Sequence, residues 1–151
     1  MSVLDPAHLF HTSIVVADID QAMAELSQSL GLTWRGGWPA QHQLHYRGAD
    51  HAVELRIAFS AQGPHYLELI EAKEGTPWSP AGIGTHHICY WASDALAASS
   101  ELEALRYTRE VGHPGAPSGY FLSPTGLRVE VLTEEYYQHL MAWITRHPNS
   151  G

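Results

Sequence analysis

The segment "HTSIVVADIDQAMAELSQSL" at residues 11–30 recurs, 76 positions later, as "HICYWASDALAASSELEALR" at residues 87–106. In that alignment His11 falls on His87, Asp18 on Asp94, Ala22 on Ala98, Glu25 on Glu101 and Leu26 on Leu102. Each copy reads as a histidine, a strand, an aspartate near a helix start, and then a helix. Ile14, Val15 and Val16 favour extended backbone, Asp18 or Asp20 suits the cap of the following helix, and Met23, Leu26 and Leu30 recur at helical spacing. In the second copy Asp94 is the cap, and Leu96, Ser99, Leu102 and Leu105 or Arg106 form a weaker stripe. Such a duplication restricts the fold strongly. Two related units close on each other, leaving a cleft to which equivalent positions of both contribute.

Punctuation supplies the remaining elements. Gly31 and an "RGGWP" turn at 35–39 end the first helix region, and strands are expected at 42–47, 52–59 and 65–71, separated by Gly48 and Gly63-Pro64. "KEGTPWSPAGIG" at 73–84 reads as the linker between copies. In the second copy "GHPGAPSG" at 112–119 is a loop, and "YFLSPTGLRVEVL" at 120–132 is two short strands around a turn at Pro124 to Gly126. A last helix is expected over 133–147. Thr133 caps it, Glu134 and Glu135 fill its first turn, and Tyr136 or Tyr137, Leu140, Met141 and Ile144 form a stripe for packing against the sheet or a second subunit.

The 151 residues, 44% of them hydrophobic, suffice for one compact unit but not for two conventional domains. Sixteen acidic side chains against eight basic ones give a formal charge of −8, which argues against nucleic acid or an anionic membrane as partner. The N-terminal residues lack the pattern of a secretion signal, and no run reaches the roughly 20 apolar residues needed to span a bilayer. The expectation is a cytoplasmic protein. Cys89 is the single cysteine and sits in an apolar run, so it reads as core, and thiolate-rich metal sites are excluded for one chain.

Strand parity sorts the polar residues. Tyr66, Glu68 and Ile70 share one face of their strand, and Arg128, Glu130 and Leu132 one face of theirs. Glu68 and Glu130 therefore lie within apolar strands, where an unpaired carboxylate is costly to bury. Together with the repeated His11 and His87 they form a set of two imidazoles and two carboxylates, which suits nickel, cobalt, zinc, manganese or iron. His86 competes with His87, but the repeat offset favours His87 as ligand and leaves His86 pointing away or supporting the site from behind. Arg128 either approaches an anionic group or forms a rim ion pair.

The stretches 11–31, 66–72 ("YLELIEA"), 86–94 ("HHICYWASD") and 120–132 resemble the signature regions of the vicinal oxygen chelate superfamily, which includes glyoxalase I, methylmalonyl-CoA epimerase, extradiol dioxygenases and bleomycin resistance proteins. The resemblance implies an α+β fold of paired βαβββ modules, curled as a mixed sheet around a metal cleft. It places one such domain over 1–151, with half-modules at about 8–72 and 84–133 plus the C-terminal helix. It carries the metal-ligand role to His11, Glu68, His87 and Glu130, and it points to a homodimer. Methylmalonyl-CoA epimerase and glyoxalase-like proteins are the most similar members, although "HYRGADHAVELRI" at 45–57 offers no clear counterpart of the epimerase base outside the quartet.

The implied chemistry is proton abstraction beside a carbonyl or thioester, with one divalent cation as cofactor and Glu130 and Glu68 as catalytic proton carriers. An epimerase, isomerase or glyoxalase-type lyase would act on a small molecule such as an acyl-CoA thioester or a hemithioacetal. An extradiol dioxygenase fits less well, because two histidines and one glutamate suffice there. From a different class, a metal-free binding or drug-sequestering protein would use Trp34, Trp38, Trp78, Trp91 and the tyrosines as stacking surface.

Overall fold

A computed structural model describes residues 2–146. The first run of elements is β1 (Leu9–Val16), α1 (Ile19–Leu30), β2 (Trp34–Tyr46), β3 (Ala49–Ser60) and β4 (Tyr66–Glu71). The second is β5 (Gly84–Ala92), α2 (Ala95–Ala104), β6 (Thr108–Val111), β7 (Gly119–Leu122) and β8 (Arg128–Thr133), followed by α3 (Glu134–Arg146). Both runs are βαβββ, as expected. Their strands close into one barrel in the order β1-β4-β3-β2-β6-β7-β8-β5. No helix among the described residues is long and apolar enough to cross a membrane.

The repeat is physical as well as textual. Asp18 accepts from the Gln21 backbone N–H at 3.0 Å, and Asp94 accepts from the Ala97 N–H at 3.0 Å. Each aspartate thus satisfies a helix-end donor at the same place in its copy. Asp20, the alternative cap, instead holds Arg56 through two hydrogen bonds of 2.8 and 3.0 Å. Immediately after the caps, Ile19 and Ala95 are both buried against the sheet. Gly31 ends α1 in the left-handed conformation, its N–H returning to Ser27 O.

Alternate residues of each strand serve opposite faces. Leu69 of β4 packs with Ile19, Trp34 and Ala58 beneath α1, whereas its neighbour Ile70 joins Val15, Leu55, Trp78 and Tyr120 in a separate cluster. Phe121 and Val131 pack with Ala95 and Leu102 beneath α2. The stripe of α3 at Tyr137, Leu140, Met141 and Ile144 covers Phe10, Phe59, Tyr66, Cys89 and Leu132, so this helix packs on its own barrel. Thr133 caps it by accepting from the Tyr136 N–H at 3.1 Å. The expected last residue of that helix, His147, lies outside the described residues.

Several local expectations change. The "RGGWP" segment is part of β2 and not a turn: Gly36 and Gly37 both have positive φ, and a register shift between Gly36 and Pro39 marks a bulge against β3. Glycine pairs signal a break in φ, and a bulge satisfies that signal without ending the strand. β6 was not anticipated, because "TREV" is short and mostly polar. Leu30, Leu96 and Leu105 are exposed; Ser99 and Leu102 of the expected α2 stripe are buried, joined by Ala95 and Ala98 and not by the two leucines, since a small-residue face lets the helix sit close to the sheet.

The bulge yields a stability test. A Cβ on Gly36 would stand 2.5 Å from Ile57 O, at a φ of +99°. Gly36→Ala should lower the unfolding free energy by about 1–3 kcal/mol, measured by denaturant titration, whereas Gly48→Asn in the open β2–β3 turn should cost less. Equal effects of the two changes would refute the bulge's steric origin.

Candidate metal centre

Three strand pairings place the four sequence-derived residues together. β1 and β5 run antiparallel with His11 opposite Cys89 and Ser13 opposite His87. β4 lies parallel to β1 with Glu68 opposite Ser13, and β8 lies parallel to β5 with Glu130 opposite Cys89. Ser13 and Cys89 are themselves 76 positions apart, so each copy repeats one arrangement: a histidine, and two residues further on the position that the glutamate strand meets.

The side chains converge. His87 Nε2 lies 3.1 Å from Glu130 Oε1 and 3.5 Å from Glu68 Oε1. His11 places Nε2 3.6 Å from Glu130 Oε1 and Nδ1 3.9 Å from Glu68 Oε1. His11, His87 and Glu68 are buried, at 1%, 2% and 7% exposure. His11, His87 and Glu130 each offer a ligand atom within 4.8 Å of the others, which makes them a candidate site for a metal ion. Glu68 stands against both histidines at the same centre.

His86 holds one edge of the His87 ring. His86 Nε2 is 2.8 Å from Pro77 O, and a carbonyl only accepts, so that nitrogen carries the hydrogen. Burial pulls the ring's pKa down to about 4, so His86 is neutral and its Nδ1 is an acceptor. The contact of 2.8 Å between the two Nδ1 atoms is then a hydrogen bond donated by His87. The opposite nitrogen, Nε2, faces Glu130 Oε1 at 3.1 Å and Glu68 Oε1 at 3.5 Å. His11 Nδ1 and Glu68 Oε1 are buried without hydrogen-bond partners.

Ligand atoms held at about 2.0–2.2 Å from one ion stand about 3–4 Å apart, and Glu130 Oε1 lies 3.1 Å from His87 Nε2 and 3.6 Å from His11 Nε2. His11, His87 and Glu130 therefore fit a cation of the imidazole and carboxylate class.

Electrostatics separates the two glutamates. Burial and the charge of Glu130 push the Glu68 carboxyl well above the ordinary range. Burial also acts to raise Glu130, but the hydrogen bond and charge of His87, with His11 behind it, hold it below that range. His11 is kept neutral, its pKa drawn by burial to about 3. Cys89 is fully buried and pushed up by burial and by Glu130, so it remains a thiol in the core.

A cavity of about 440 Å³ opens onto the centre, reaching His11, Glu68 and Glu130. Leu55, Ile57, Phe59, Tyr120 and Leu132 wall it, and Trp38, Tyr136, His139 and Trp143 line it further out. Arg128 does not enter. Its guanidinium pairs with both oxygens of Glu110, at 2.6 and 3.0 Å, and donates to His86 O at 3.2 Å, which makes it the rim ion pair of the two alternatives. Pro77 and Tyr120 were missed in the sequence. The useful atom of Pro77 is a backbone carbonyl, which no side-chain pattern signals, and Tyr120 acquires its place 4.6 Å from the His87 ring only through the β7–β8 register.

The fold is shared with solved proteins. Methylmalonyl-CoA epimerase from Mycobacterium tuberculosis is similar at a TM-score of 0.57, with 19% identity, over 88% of this chain and 91% of that one. A variant of Streptomyces coelicolor methylmalonyl-CoA epimerase in complex with 2-nitronate-propionyl-CoA gives 0.56, 18%, 83% and 93%. A methylmalonyl-CoA epimerase in complex with methylmalonyl-CoA and NH4+ gives the same four values, 0.56, 18%, 83% and 93%. No curated protein sequence matches the chain. The family model of the Glyoxalase/Bleomycin resistance protein/Dioxygenase superfamily matches residues 10–122, well over half of the chain, and the chain belongs to that superfamily.

Proposed function

We propose that the chain is a divalent-metal-dependent enzyme that removes the proton beside a carbonyl or thioester, giving an epimerisation, an isomerisation or a glyoxalase-type lyase reaction. The observation that carries this reading is the convergence of His11, His87 and Glu130, each offering a ligand atom within 4.8 Å of the others, with Glu68 Oε1 3.5 Å from His87 Nε2. His11, Glu68, His87 and Glu130 are the proposed ligands. A cation bound there supplies Lewis acidity, lowering the energy of negative charge on a substrate oxygen.

The chain's own groups do the rest. Pro77 and His86 fix the tautomer and orientation of His87. Glu130, held toward its ionised form, is the proposed proton acceptor. Glu68 is the second proposed proton carrier, alternating between ligand and carrier on the other side of the centre. The apolar walls lower the local polarity, which strengthens charge interactions within the cavity.

The substrate class proposed is a hemithioacetal or an acyl-CoA thioester. The cavity lining includes no lysine or arginine, so a coenzyme A substrate would place its acyl end inside and its phosphates beyond. The unit proposed is a single domain over 1–151, with half-modules at about 8–72 and 84–133 and the helix 133–147. Cytoplasmic placement belongs to the same proposal.

Purified protein should carry about one divalent ion at this centre. His87→Ala and Glu130→Ala should lose it, whereas His86→Ala should keep it with affinity weakened about 10–100-fold. Elemental analysis finding no ion there after incubation with nickel, cobalt, zinc, manganese and iron would leave the metal-free binding protein as the better reading.

Metal-loaded protein incubated with methylmalonyl-CoA or hemithioacetals in deuterated water should incorporate deuterium. Glu130→Gln, compared per bound metal ion, should slow incorporation by about 10²–10⁴-fold. Exchange that persists at the wild-type rate in Glu130→Gln would remove that residue from the proton path.

A homodimer is proposed on the family likeness, since the barrel is closed and the α3 stripe is covered within one chain. Sedimentation at micromolar concentration should give about twice the 16.7 kDa chain mass, and a monomer alone would refute it.

A further inference from the structure

The barrel is closed unevenly. Where the first run meets the second at β2 and β6, a single register pair, Tyr46 opposite Val111, is formed among the described residues, with Gly112 N–H donating to His45 O at 2.9 Å. Beside this seam stands a second group of metal-ligating side chains. His45 Nδ1 lies 2.9 Å and His113 Nε2 3.0 Å from the same oxygen of Asp50, with the two imidazole rings 4.2 Å apart. One ligand atom from each of the three lies within 4.8 Å of the others.

We propose that His45, Asp50 and His113 form a second divalent-cation site, of the zinc, nickel or cobalt class, that clamps the β2–β6 seam. Two ligands at about 2.1 Å from one ion stand about 3.0 Å apart at right angles and about 3.4 Å apart in a tetrahedron, and the imidazole contacts to Asp50, 2.9 and 3.0 Å, lie at the close end of that range. Two imidazoles and one carboxylate on one side of an ion leave its remaining positions to water. The solvent-facing position of Asp50 and His113 allows that hydration and gives the ion an entry path. His45 and Asp50 belong to the β2–β3 hairpin, while His113 follows β6, so the ion joins the two runs where their backbone pairing is shortest. The same residues line a cavity of about 540 Å³ that also reaches Glu130, so the clamp would fix part of the wall of that cavity.

Nothing in this site depends on the ligands of the main centre, and zinc binding separates the two. Equilibrium dialysis of metal-free full-length protein against zinc should give two equivalents for the wild type. His113→Ala and Asp50→Asn should each retain one, His87→Ala should retain one, and the His87→Ala/His113→Ala double variant should bind none. In the His87→Ala background zinc should raise the melting temperature, and that rise should vanish in the double variant. A wild-type protein binding one equivalent, lost in His87→Ala and unchanged in His113→Ala, would overturn the second site while leaving the proposed function intact. One equivalent lost in His113→Ala and retained in His87→Ala would support the clamp and refute the main centre. Two equivalents in both the wild type and His113→Ala would place the second ion elsewhere and overturn the clamp.

Discussion

The antiparallel pairing of β1 with β5 is the contact on which the site depends. It sets His11 against Cys89 and Ser13 against His87, two pairs that exchange places under the 76-residue repeat. Each of these strands then receives a parallel neighbour bearing a glutamate. Because side-chain direction alternates with a period of two, a slip of one residue in any of the three pairings would turn a ligand to the opposite face. The apolar residues prevent that slip. Val15 and Ile70 are buried on the face that carries the ligands, and Leu69 is buried on the other, so no strand can shift without exposing its core residues.

Burying two carboxylates and two imidazoles at one point is costly unless each group has a partner. The chain solves only part of that problem with its own atoms. Pro77 and His86 satisfy one edge of His87, and Glu130 gains from both histidines, but His11 Nδ1 and Glu68 Oε1 are left over. His11 and Glu68 both line the cavity. The proposed cation would supply the missing compensation, and it would account for polar side chains at core positions where apolar ones pack at lower cost.

The linker between the two runs contributes more than length. Trp78 packs against Tyr120 and lies near His86, while the neighbouring Pro77 carbonyl holds His86 Nε2. The turn-rich composition of 73–84 marks it as irregular backbone, and irregular backbone is what leaves a carbonyl free to act on a side chain. Helices and ladders consume such groups internally. The relay to His87 thus draws on a carbonyl in the segment between the runs, just ahead of its short 3-10 helix at Pro80–Gly82.

The sequence by itself determined the duplication, the caps at Asp18 and Asp94, the apolar stripe of α3, and the four polar residues held inside strands. These features are written in local spacing, because hydrophobic period and capping depend on neighbours within a few positions. It misread "RGGWP" as a turn and overlooked β6, since a bulge and a short edge-like strand take their form from the partner strand and not from their own residues. Only the tertiary structure decided that His86 supports His87 and does not point away, that Arg128 is tied to Glu110, and that His45, Asp50 and His113 meet across the seam. Those outcomes depend on long-range register and on backbone carbonyls brought from distant segments, and neither leaves a signature in residue order.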